Sequence, residues 1–188
     1  MIILLATLYN LSIIIILLFK TILEEDKLKK VGIIMGSDSD MPIAEKVRAQ
    51  LDKYGVPYEM HIYSAHRTPK EAKEFSENAI SNGFGVIIGI AGKAAHLAGA
   101  IAANTTLPVI GVPCKSSELD GLDALLSTVQ MPSGMPVATV AINGGKNAAI
   151  LASQIIAIND EELAKKIRDE RRENAKAVLE KDAELNKK

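Results

Sequence analysis

Five apolar runs, each followed by a stretch with helical spacing, constrain this chain more than any other feature. The runs are VGIIM (31–35), YEMHIYS (58–64), GVIIGIAG (85–92), LPVIGVPC (107–114) and PVATVAI (136–142). Most lack the in–out alternation of a strand with one wet face, so they read as strands covered on both sides. The intervening segments read as helices. After the first run, Ile43, Val47, Leu51 and Tyr54 recur at helical spacing and Gly55 follows as a stop. In TPKEAKEFSENAISNG (68–83), Thr68 is placed as N-cap, Pro69 as first helical residue and Glu71 as the partner in a capping box. AAHLAGAIAANT (94–105), GLDALLSTVQM (121–131) and NGGKNAAILASQIIAI (143–158) complete the series. Strand and helix in strict alternation imply parallel strands joined by crossover helices.

The expected architecture is α/β: a three-layer αβα sandwich around a parallel five-stranded, flavodoxin-like sheet of order 2-1-3-4-5, with terminal helices added. Its parts are a hydrophobic N-terminal extension (1–28), a main α/β domain (29–160) and a charged C-terminal helix (161–188), read as a solvated helix or a strap over a neighbouring subunit. Residues 1–19, MIILLATLYNLSIIIILLF, carry no charge and approach the ~20 residues needed to cross a bilayer. They fit an anchor, a packed helix, or upstream sequence that the domain does not need; membrane contact is not favoured, and a chain starting near Lys29 is expected to fold and work. The expected location is cytoplasmic, with membrane tethering through residues 1–19 as the alternative. With 22 basic against 23 acidic residues and 4% aromatics, the chain offers neither a field nor a stacking surface for nucleic acid. The single cysteine, Cys114, excludes an internal disulfide and reads as a buried thiol. His61, His66 and His96 lack the spacing of a zinc site, so no metal is expected.

Ligands of open parallel sheets sit beyond the carboxyl ends of the strands, near the reversal of strand order. That selects MGSDSDMP (35–42), SAHRTP (64–69) and AGKAAH (91–96). In the first, Gly36 lets the chain turn, and Ser37 and Ser39 beside a helix start suit a phosphate. One of Ser39 or Asp40 suffices as a cap, which leaves the other polar residues for a ligand; a carboxylate such as Asp40 suits sugar hydroxyls. In the second, Thr68 and Pro69 suffice to start the helix, so Ser64, His66 and Arg67 are unexplained by capping. Arg67 has the planar fork that holds phosphate or carboxylate. His66, beside that cation and at a helix start, is expected to be held neutral until a bound phosphate offsets both effects, which suits proton exchange. In the third, Ala91 and Gly92 allow close approach, and Ala94, Ala95, Ala98, Gly99, Ala100, Ala102 and Ala103 make a helix almost without bulk. His96 is open to packing, a supporting role or direct contact; His61 reads as structural. The segment from Ser116 onward reads as a loop that completes the pocket or forms an interface.

GSDSD, SAHRTP, AGKAAHL, LPVIGVP, LDGLDALLSTVQMPSGMPVATVAI and NAAILASQI, in this order and at these spacings, resemble the N5-carboxyaminoimidazole ribonucleotide mutase family over roughly residues 31–158. The resemblance implies a purine-biosynthetic isomerase that needs no cofactor and moves a carboxylate from the exocyclic nitrogen to C4 of aminoimidazole ribonucleotide. By likeness, His66 is the general acid/base. Ser37, Ser39 and Asp40 meet the ribose phosphate, Ser64, Ala65 and Arg67 surround the reacting end and phosphate, and Ala91, Gly92 and His96 line the carboxylate side. The implied partners are a small ribonucleotide and copies of the same chain in an octamer. The family's usual third loop reads AGGAAHLPG, so Lys93 and Ala98 depart from it; Lys93 either faces solvent or brings a cation to the carboxylate. Direct carboxylation by CO2 is the alternative within the superfamily. A non-catalytic nucleotide-monophosphate sensor is the alternative outside it, while the acidic phosphate-receiving pocket of a response regulator is at odds with His66 and Arg67.

Overall fold

The computed structural model of the protein describes residues 28–187; the apolar stretch 1–19, and the readings attached to it, lie outside the described residues. Strands β1 (Lys30–Met35), β2 (Tyr58–Ile62), β3 (Phe84–Gly92), β4 (Val109–Cys114) and β5 (Ala138–Thr139) form one parallel sheet. Their order, β2-β1-β3-β4-β5, is the expected one. The helices are α1 (Met41–Tyr54), α2 (Pro69–Asn78), α3 (Leu97–Ala102), α4 (Leu122–Val129), α5 (Gly145–Ile156) and α6 (Glu161–Leu185). Among the described residues no helix is long and apolar enough to cross a membrane.

The pleat sorts each strand between two cores. Val31, Ile33 and Met35 of β1, with Val86, Ile88 and Ile90 of β3, face a layer built from α1, α5 and the start of α6. Ile34 and Ile87 face the other way, against Leu97, Ala98 and Ile101 of α3. Ile33, Ile34, Ile87, Ile88, Ile90 and Ile110 are fully buried, and each such side chain contributes roughly 2 kcal/mol before chain entropy is counted. The bulk-free helix α3 has a structural cause: a Cβ on Gly89 would stand 3.1 Å from Ala98 Cα, and one on Gly111 would stand 2.3 Å from Thr128 Cγ2 of α4. Both helices therefore ride directly on the sheet backbone.

Several elements are shorter than their pattern predicts. Helix α3 has six residues, because Lys93 takes a left-handed conformation (φ 54°) before it, and the Asn104 amide donates to Ala100 O (2.7 Å) to close its end. Strand β5 ladders only at Ala138 and Thr139, although Val140 N still donates to Gly111 O (3.0 Å). It is the edge of the sheet, Pro136 lacks an N–H, and Asn143 turns the chain at φ 58°. The capping box at α2 is not formed: Thr68 sits at the N-cap without a side-chain cap bond, and its Oγ1 instead accepts from Ser64 N (2.7 Å). At α6, Asp160 is a working cap that accepts from Leu163 N (2.7 Å). The first turns of that helix bury Leu163, Ile167 and Glu170; the remainder is exposed.

Candidate active site

Helices on opposite faces follow β1 and its neighbour, and the loops after β1, β2 and β3 share one rim at the carboxyl end of the sheet. Gly36 N donates to Ile90 O (3.0 Å), which ties the first loop to β3. Ser37 Oγ accepts from Ser39 N (3.4 Å) and donates to Asp38 Oδ1 (2.9 Å), so Ser37 organises the 3-10 turn Asp38–Asp40. Asp40, expected to be a cap or a ligand contact, makes no side-chain cap bond. It is only 7% exposed, and burial raises its pKa, while a hydrogen bond from the Cys114 thiol works in the opposite sense. Cys114 is itself buried, and burial, then the Asp40 charge, push its pKa up to about 12. It is a thiol that supports Asp40, not a nucleophile.

In the second loop Ser64 Oγ accepts from the backbone N–H groups of His66 (3.3 Å) and Arg67 (3.2 Å). Its lone pairs hold the turn, which leaves only its hydroxyl proton for a ligand. Arg67 Nη2 donates to Gly36 O at 2.6 Å and pins the second loop to the first. His66 Nε2 lies 2.9 Å from His96 Nδ1, with the two rings nearly perpendicular (82°). One of these nitrogens carries the proton between them and the other accepts it. His96 thus bonds directly to His66 and also lines the cleft, so it is not a packed core residue. His61 stands apart, stacked on Tyr63 with centroids 4.9 Å apart.

These groups meet in one cleft of about 690 Å³. Ser37, Ser39, Asp40, Ser64, Ala65, His66, Arg67, Ala91, Gly92 and His96 all line it. So do Lys93 and, after β4, Lys115, Ser116 and Ser117. In the sequence the β4 loop stands out only from Ser116 onward, as a stretch rich in Ser and Gly in which no pattern singles out one residue, and Lys115 carries no signal. Gly36 and Gly92 do not have positive φ, and a Cβ on either would meet other protein atoms no closer than 3.5 Å. Neither the turn nor the packing requires glycine there, which corrects the expected role of Gly36; what remains is room for a ligand against the backbone. Among the described residues, no three His, Cys, Asp or Glu side chains are grouped to hold a metal.

A family model described as AIR carboxylase matches residues 30–177. The chain belongs to that family. An N5-carboxyaminoimidazole ribonucleotide mutase of Thermotoga maritima is 53% identical over 152 residues, which is 81% of this chain and 89% of the relative. A protein of the same name from Pyrococcus horikoshii is 56% identical, over 80% of this chain and 85% of its own. Among solved structures, Treponema denticola PurE superposes with a TM-score of 0.78 at 33% identity, covering 84% of this chain and 99% of that one. AIR carboxylase family membership thus takes in all five strands, the whole rim and the first part of α6.

Proposed function

We propose that this chain is an N5-carboxyaminoimidazole ribonucleotide mutase of purine biosynthesis, converting its substrate to 4-carboxy-5-aminoimidazole ribonucleotide. The carrying observation is the cleft in which the Ser37–Asp40 turn, Arg67 and the His66–His96 pair converge. The relatives' names supply the substrate class. Arg67, Ser37 and Ser39 take the phosphate end. Asp40 accepts from ribose hydroxyls, and the small faces of Ala65, Ala91 and Gly92 admit the heterocycle.

The chemistry balances without a redox partner. The N–carboxylate bond breaks, CO2 leaves, and the exocyclic nitrogen takes a proton. The electron-rich C4 then attacks the CO2 carbon, and the proton on C4 departs to restore the aromatic ring. One acid/base group serves both transfers, and His66 is that group, oriented through Nε2 by His96. Holding CO2 beside C4 makes its recapture effectively intramolecular. The working assembly is an octamer of this chain in the cytoplasm. Exposed Leu119, Leu122, Leu126, Val129 and Met135 support burial between copies, and the single reduced Cys114 suits a reducing compartment.

Conversion of substrate carrying a labelled N-carboxylate, without ATP or added bicarbonate, tests this reading. Label kept at C4 supports the mutase. Turnover that depends on external CO2 would identify a direct carboxylase, and binding without turnover a sensor.

A further inference from the structure

Lys93 stands where its backbone alone would not put it. Its φ is 54°, in the left-handed region where a side chain costs about 1 kcal/mol relative to glycine. Such an outlier calls for something that the side chain does. The residue is exposed and lines the cleft between the β3 loop and the β4 loop.

The cations of the cleft differ in what already occupies them. Arg67 donates to Gly36 O on the β1 side, beside Ser37 and Ser39. Lys115, on the β4 side, is neutralised by Asp120 at 2.9 Å. Among the described residues, Lys93 makes no ion pair within 4 Å. Glu118 feels its charge without pairing with it: that carboxyl is held below its usual range first by the Ser117 hydroxyl and then by the charge of Lys93. An anion entering on this side therefore meets an ammonium that no carboxylate holds directly. His96, three residues on in the same loop, is paired with His66, so Lys93 and the proton-transfer pair belong to one short segment.

Building on the proposed function, we infer that Lys93 is a specificity-determining cation that binds the migrating carboxylate, while Arg67 serves the phosphate. The substrate presents anions at its two ends, and the cleft holds a cation on each side: Arg67, which also donates to Gly36 O, and Lys93, which makes no ion pair among the described residues. Lys93 then discriminates carboxylated ribonucleotides from the decarboxylated one and holds the carboxylate next to His66. Glu118 competes with the ligand for the same ammonium.

The test is calorimetric binding of 4-carboxy-5-aminoimidazole ribonucleotide and of the same nucleotide without its carboxylate, to the wild-type chain and to Lys93→Gly, Lys93→Met and Lys93→Arg. Loss of one charge-assisted contact is expected to weaken the carboxylated ligand ~10-fold in the Gly and Met variants and the uncarboxylated one less than ~2-fold. Lys93→Arg keeps affinity within ~3-fold, and Glu118→Gln tightens the carboxylated ligand ~2-fold by removing its competitor. The Met variant keeps a side chain at φ 54°, so relief of backbone strain cannot be mistaken for the charge effect. Equal losses for both ligands, or none, would overturn the inference while leaving the mutase reading in place. A wild-type chain that does not turn over the N-carboxylated substrate overturns the mutase reading, and this inference with it.

Discussion

His66 and His96 are thirty positions apart in the chain and 2.9 Å apart in space. The motif SAHRTP points to His66, because nothing about starting a helix needs an imidazole there. Nothing local in AGKAAH distinguishes a ligand-facing His96 from a packed one; only the sheet order brings the two loops together. Replacing His66 with Asn keeps a polar group of similar reach but removes the exchangeable ring nitrogen. Turnover should fall by ~10²-fold or more with substrate affinity little changed, and a proportional loss of binding would show that His66 holds the ligand instead. Gly36 makes a complementary case, since an Ala there meets Ala91 Cβ at an ordinary 3.6 Å. Gly36→Ala should leave stability within about 0.5 kcal/mol yet raise KM, as measured by thermal unfolding alongside steady-state kinetics. Cys114, with its thiol pushed up to about 12, should resist iodoacetamide at pH 8 in the folded protein, and activity should survive the treatment; rapid modification would contradict its supporting role beneath Asp40.

Elements were readable from the sequence wherever periodicity and burial agree, as in β1, β3 and α1. An edge or a strained residue makes an element shorter than its pattern, as in β5 and α3. Helix α6 is the instructive case, because its charge pattern reads as a solvated surface while its first turns are core. Glu170 lies beneath Gln50, whose Nε2 donates to it at 2.8 Å, and beside Lys53 (3.2 Å) and Lys146 (3.4 Å). Burial alone would raise its pKa. Hydrogen bonds from Tyr54, Gln50 and Lys53 outweigh that and bring it from 4.5 to about 2. A carboxylate with a depressed folded pKa adds stability above its unfolded value and loses it as the pH falls through the folded one. Unfolding in urea should therefore show a loss of about 2 kcal/mol from this group between pH 6 and pH 3, absent in Glu170→Gln. Glu170→Ala should destabilise by about 2–3 kcal/mol at pH 7, because Gln50 and two lysines lose their shared acceptor.

At the scale of the molecule, the described residues contain both cores and all the residues that line the cleft in this chain. A chain lacking residues 1–27 is thus expected to fold, assemble and turn over substrate as the full chain does. Insolubility, or a smaller assembly than the full chain forms in light scattering, would show that the segment belongs to the working protein. The amino-acid pattern alone carries the alternation of strand and helix, and with it the parallel sheet, its order and the three loops on its rim, because burial on both faces and short crossovers leave few topologies open. It also singled out residues whose chemistry no cap or core needs. The folded arrangement adds that His96 bonds to His66, that Ser64 and Ser37 use their oxygens on the loops themselves, and that Lys93 and the β4 loop line the same cleft. Those facts rest on distances between segments far apart in the chain, which no local preference encodes.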